Sequence, residues 1–146
     1  MIEIDKGADS PFRSFLDLRG HSWAYNEPLS HSGYGITRYH LVELGETSGF
    51  FSAVVEAGFH ETSLRLVAAG EVDASAIDSQ VLGVALRDEP SLARSLRIIE
   101  SLGPSTIQPV AVSKRVPPEL RAGIQQVLTS LHEDPAVRAR LALGMV

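Results

Sequence analysis

Three short stretches hold the residue types from which a binding or catalytic site could be built. In Ser30-His31-Ser32-Gly33, two hydroxyls, an imidazole and a glycine stand where a helix is predicted to begin. A helix N-terminus carries unpaired N–H groups and the positive end of the macrodipole, so this stretch suits a small oxyanion. A serine in that position also serves as a plain N-cap, and the two roles are compatible. The second stretch is Gly58-Phe59-His60-Glu61-Thr62-Ser63, again ahead of a predicted helix. There Gly58 allows close backbone approach, His60 can donate to an oxyanion, and Thr62 or Ser63 adds a hydroxyl. The bland alternative makes Thr62 the cap and His60 a half-buried loop residue. The third is Asp78, closing Ala74-Ser75-Ala76-Ile77. Its carboxylate can accept from a protonated ligand oxygen or pair with a ligand ammonium, or it can cap the next helix.

Composition narrows the chemistry. The 146 residues carry 13 Lys and Arg against 18 Asp and Glu, a net charge of −5. That balance leaves no basic stripe and argues against nucleic acid as a partner. The absence of cysteine removes disulfides, thiolate catalysis and cysteine-ligated metals. The five histidines, His21, His31, His40, His60 and His132, have no metal-ligand spacing such as His-Glu-x-x-His. No metal or cofactor is expected. Ser30 or Ser32 with His60 and Asp78 supplies the residue types of a hydrolytic triad. No Gly-x-Ser-x-Gly elbow accompanies them, and a non-enzymatic role is the expectation. The start of the sequence lacks a basic-then-apolar secretory pattern, and no run approaches a membrane span. As written, the chain is expected in the cytoplasm, or in the periplasm if an upstream segment is missing.

The elements that must position these residues alternate along the chain. Phe12 to Gly20 reads as a short helix, His21–Tyr25 as a strand broken by the turn residues Asn26-Glu27-Pro28, and Tyr34, Thr37, Leu41 and Leu44 share one helical face. Phe50–Val55 is a strand, Thr62–Ala69 a helix stopped by Gly70, Asp73–Asp78 a strand and Ser79–Arg87 a helix. Leu96–Glu100 and Ile107–Val112 complete the predicted strands. Pro117-Pro118 opens a helix with the stripe Leu120, Ile124, Val127, Leu128 and Leu131, and Asp134-Pro135 opens a last one. This alternation predicts an α/β fold with a mostly parallel sheet flanked by helices. The expected organisation is an entry segment (1–20), a ligand-binding lobe (21–112) and C-terminal helices (113–146) that pack on the lobe or on a partner subunit.

Four segments, in order, resemble one family. Asp9-Ser10-Pro11-Phe12 to Leu16-Asp17-Leu18-Arg19-Gly20 is similar to a "Ser-Pro … Asp-Leu-Arg-Gly" entry, and Ala24-Tyr25-Asn26-Glu27 through Ser30-His31-Ser32-Gly33-Tyr34 to a "Ser-Thr-Ser-Gly-Tyr" loop. Gly58-Phe59-His60-Glu61-Thr62-Ser63 resembles "Gly-Ser-His-Glu-x-Ser", and Val67 to Asp73 with Ala76-Ile77-Asp78 resembles "Val-Ala-x-Gly-x-x-Asp … Ala-Ile-Asp". These are motifs of the PhnD-like substrate-binding proteins of phosphate, phosphite and phosphonate ABC transporters, which have the type II periplasmic-binding-protein fold. The resemblance implies one lobe of that fold plus C-terminal helices, with the family's first half not represented. It implies a small oxyanion held by Ser30, His31, Ser32, Gly33, His60, Ser63 and Asp78, and a transporter membrane component as partner. His31 stands where the family has threonine and Phe59 where it has serine, so two hydroxyl donors are replaced. The apolar stripe of the C-terminal helices implies a homo-oligomer, with a purely structural role as the competing reading.

Overall fold

The computed structural model of the chain describes residues 2–6, 10–46, 48–106 and 109–143. Two units divide the chain, Met1–Ser105 and Thr106–Val146. The first opens with strand β1 (Ile2–Lys6), a 3-10 turn at Phe15–Leu18 and strand β2 (Ser22–Tyr25). A π turn at His31–Gly35 runs into helix α1 (Ile36–Glu43), followed by β3 (Ala53–Glu56), α2 (His60–Ala69), β4 (Ala74–Ile77) and α3 (Ser79–Asp88). A short α4 (Leu92–Ser95) leads into β5 (Leu96–Ser101).

The five strands form one sheet in the order β3-β2-β4-β1-β5. β2 pairs in parallel with β3 and with β4, while β1 runs antiparallel to both its neighbours, β4 and β5. Four strands therefore share one direction, and the fold is the α/β class with the mostly parallel sheet that the alternation predicts. Helices cover both faces because successive strand residues point to opposite sides. Ala74 and Ala76 of β4 join Trp23, Phe12, Phe15, Leu18, Leu41 and Phe50 on one face. Ile77 joins Ala24, Leu64, Val67, Val72 and Leu82 on the other, beneath α2 and α3. The register sets Trp23 opposite Ala74, large against small, and Trp23 is fully buried and stacked 5.0 Å from Phe51. Truncating such an aromatic costs about 3–5 kcal/mol.

The start of β2 is fixed by Asp73. Its Oδ2 accepts from the Ser22 amide at 2.8 Å and hydroxyl at 2.6 Å, and the Asp73 amide donates back to Ser22 Oγ at 2.9 Å. Burial raises the Asp73 pKa, but the Ser22 bonds and nearby His21 outweigh it and leave the carboxyl below its usual value.

Several elements differ from the sequence reading. β1 is a strand that the reading left unassigned. β3 begins at Ala53 rather than Phe50, because Phe50 turns into the core and its carbonyl accepts from the Gly20 amide at 2.7 Å. The helix expected over Phe12–Gly20 is a single 3-10 turn, closed at its start by Asp17 Oδ2 accepting from the Arg13 and Ser14 amides. In the stretch expected as a strand at Ile107–Val112, Ile107 and Gln108 lie outside the described residues. Residues 109–112 form no ladder.

The second unit contains α5 (Pro118–Ser130), a 3-10 turn (Leu131–Glu133) and α6 (Pro135–Leu143). Pro117 and Pro118 set the start of α5, and Asp134 Oδ1 caps α6 by accepting from the Ala136 amide at 2.7 Å. No residue of α5 is buried, and Leu120, Val127 and Leu128 lie exposed on it.

Candidate functional site

In a sheet of this kind the ligand crevice lies at the carboxyl ends of the strands, where the strand order reverses. β2 is that point, since the chain passes from it to β3 on one side and then across to β4 on the other. Beyond β2, β3 and β4 begin the π turn, α2 and α3, so three helical starts share this edge of the sheet. Tyr25 and Glu56 are register partners at the ends of β2 and β3. The pairing continues past them: the Ala57 amide donates to Tyr25 O and the Gly58 amide to Asn26 O, both at 2.7 Å. Gly58 makes the second bond with φ of 82°, a left-handed conformation that side chains resist.

The first start belongs to the π turn. Ser30 Oγ accepts from the Gly33 amide at 3.0 Å, and Ser30 O accepts from Gly35 at 2.9 Å. The amides of His31 and Ser32 precede the first intrahelical donor and stay available. Gly33 is required by its neighbour, since a Cβ there would fall 2.6 Å from Asn26 Cγ and Oδ1. His31 is exposed, and its Nε2 lies 3.2 Å from Ser105 Oγ.

The second start is finished differently. Phe59 occupies the N-cap of α2 in extended conformation and supplies no side-chain acceptor. The amides of His60, Glu61 and Thr62 are therefore uncapped. Thr62 sits inside the first turn, exposed, and is not the cap. His60 turns towards the π turn and places Nε2 3.1 Å from Ser32 Oγ, joining residues 28 apart in sequence. Its Nδ1 is buried against the Ala76 backbone. Burial lowers the His60 pKa, and Asp78, Glu61 and the Ala76 carbonyl only partly offset it, so the imidazole is neutral at neutral pH. With the proton on Nε2, the ring donates to Ser32 Oγ and leaves the hydroxyl hydrogen for a ligand oxygen. With the proton on Nδ1, the ring accepts from Ser32 instead.

At the third start, Asp78 caps α3: its Oδ1 accepts from the Gln80 amide at 2.9 Å and the Val81 amide at 3.4 Å. The carboxylate influences His60 through space but does not hydrogen-bond to it. A Ser-His-Asp relay needs that bond, so Ser32, His60 and Asp78 do not form the hydrolytic arrangement. Ser63 faces inward on α2, fully buried, and its Oγ has no hydrogen-bond partner among the described residues. The structure thus gathers Ser30, Ser32, Gly33 and His60 closely, sets Asp78 beside them, and leaves His31 and Ser63 outside the contact set.

Sequence reasoning passed over Asn26, treating Asn26-Glu27-Pro28 as turn chemistry. The residue follows β2 directly and is 7% exposed, and its Oδ1 is buried without a partner. No local signal marked it, because its burial arises from packing on Gly33.

No curated protein matches the sequence. Solved structures match its fold. A binding protein of an ABC phosphonate transporter from Pseudomonas aeruginosa aligns with a TM-score of 0.66 at 18% identity, over 86% of this chain and 43% of its own. PhnD1 from Prochlorococcus marinus, solved with methylphosphonate, aligns with a TM-score of 0.58 at 21% identity, over 68% of this chain and 39% of its own. An ATP-bound Xanthomonas citri protein aligns with a TM-score of 0.66 at 21% identity, over 92% of this chain and 52% of its own. The chain thus spans about half the length of these proteins or less. The family model described as ABC transporter, phosphonate, periplasmic substrate-binding protein matches residues 7–144, and the chain belongs to that family.

Proposed function

We propose that the carboxyl edge of β2, β3 and β4 binds a phosphate-, phosphite- or phosphonate-type oxyanion without transforming it. The observation that supports this most is the Ser32–His60 contact of 3.1 Å, which closes two separately encoded helix starts onto one spot. Around that spot lie the uncapped amides of the π turn and α2, and the Ser30 and Ser32 hydroxyls. Asp78 lies near His60, and the carboxylate oxygen it does not use as a cap is able to pair with a ligand ammonium. In this reading the protein serves an ABC transporter's membrane component in the periplasm, or is a cytosolic sensor derived from such a receptor. No helix among the described residues is long and apolar enough to cross a membrane.

The test is a thermal-shift and calorimetry panel with phosphate, phosphite, methylphosphonate, 2-aminoethylphosphonate and sulfate, repeated on Ser32→Ala and His60→Ala. A ligand at about 100 times its Kd adds roughly 2.7 kcal/mol to the native state. A selective shift that both substitutions abolish supports the reading. A folded protein that responds to none of the anions refutes it.

A second reading rests on α5, whose apolar side chains stay exposed beside a groove of about 660 Å3 lined by Val110, Val112, Ile124 and Leu128. Self-association through this face would make the chain a homo-oligomer. Light scattering that returns a monomer at high concentration would refute it.

A further inference from the structure

Asn26 is anchored from two sides. Its backbone carbonyl takes the Gly58 amide at 2.7 Å, and its side chain packs on the Gly33 backbone so tightly that a Cβ there would fall 2.6 Å from Cγ and Oδ1. It therefore bridges the same two loops that Ser32 and His60 join. Yet its Oδ1 is buried and makes no hydrogen bond among the described residues, in a residue only 7% exposed. A buried carbonyl oxygen left unpaired costs about as much as a lost hydrogen bond, and such groups call for an explanation. The surrounding charge is informative too. Residues 26–35, 57–63 and 74–81 contain no Lys or Arg but do contain Glu27, Glu61 and Asp78. An anion seated there is held by uncharged donors, and every negative charge it sheds eases its binding.

A carboxamide offers one donor and one acceptor side by side. A singly protonated oxyanion presents the complement: an O⁻ to accept from the NH2, and an O–H to donate to Oδ1. We infer that Asn26 is a ligand-binding residue that selects the singly protonated form of a tetrahedral oxyanion. This rests on the oxyanion-binding reading above and deepens it. It separates phosphonates, which retain a proton near neutral pH, from sulfonates of the same shape, which do not.

The experiment measures Kd by calorimetry for methylphosphonate and methanesulfonate on the unmodified chain and on Asn26→Ala, with circular dichroism confirming the fold. Methylphosphonate should bind at least about tenfold more tightly than methanesulfonate, and Asn26→Ala should lose about tenfold for the phosphonate while the ratio collapses towards one. Asn26→Asp is the second variant, nearly isosteric and without the donor. It should bind methylphosphonate worse than the unmodified chain at pH 7.5, and the deficit should shrink at pH 5 as its carboxyl protonates. If the unmodified chain binds phosphonate but Asn26→Ala, or Asn26→Asp where the alanine variant does not fold, keeps both affinity and ratio, the assignment of Asn26 is overturned. If the unmodified chain binds neither anion, the binding reading itself fails and this inference with it.

Discussion

The starts of α2 and α3 sit at the same edge of one sheet and are finished in opposite ways. α3 brings its own anion, since the Asp78 carboxylate caps the Gln80 and Val81 amides. α2 has phenylalanine in that place and leaves its first amides open. A helix start that is already capped gains little from a ligand, whereas an uncapped one beside Ser32 and His60 keeps donors that the proposed anion would use. An open helix start and a capped one thus differ here by a single residue's chemistry.

The comparison can be broken or sharpened by substitution. Gly33→Ala drives a Cβ into the buried Asn26 side chain and should cost about 1–3 kcal/mol, read from urea denaturation. An unchanged midpoint would show that Asn26 swings away freely. Asp78→Ala removes the α3 cap and should cost about 1 kcal/mol by the same measurement. Phe59→Asp gives α2 the acceptor it lacks; it should stabilise the protein by roughly 0.5–1 kcal/mol and abolish the anion-induced thermal shift. Retained binding would mean that the α2 amides are not part of the seat.

The smallest effect is a pH dependence. The native His60 pKa lies below the usual imidazole value of 6.5, so below that pH the unfolded chain takes up protons the native state refuses. The stability due to neutral His60 is fully present above about pH 6.5 and is lost as the pH falls towards the native value. His60→Gln should flatten that part of the profile in denaturation measured from pH 7.5 to 5. An identical slope in the variant would place the titration elsewhere.

The alternation of short strands and helices was plain in the residues, as were the loops around Ser30 and His60. Cap residues and glycines are local signals, so Asp78 and Gly70 read correctly as a helix start and a helix stop. Non-local pairings were not legible. β1 has a mixed polar and apolar sequence whose strand character comes from lying between β4 and β5. Phe50 resembles the Val54-Val55 run in type, yet it belongs to the core because it stacks on Phe15 at 5.2 Å. The apolar run at residues 109–112 matches a strand in composition but finds no neighbouring ladder. Asn26 was hidden by the opposite effect, since Asn-Glu-Pro is ordinary turn chemistry until burial shows otherwise.

The placement of β1 has a kinetic consequence. β1 takes a position between β4, where Ile2 meets Ile77, and β5, where it meets Ser101. β2, β3 and β4 can zip together through two short crossovers, but β1 must close loops spanning most of the unit before it gains any bond. It should therefore be the last strand to dock, and pulse-labelling hydrogen exchange during refolding should find its amides protected after those of β2 and β4. Early protection of β1 would overturn this order. The half of the sheet that carries the proposed site is thus the half able to assemble first.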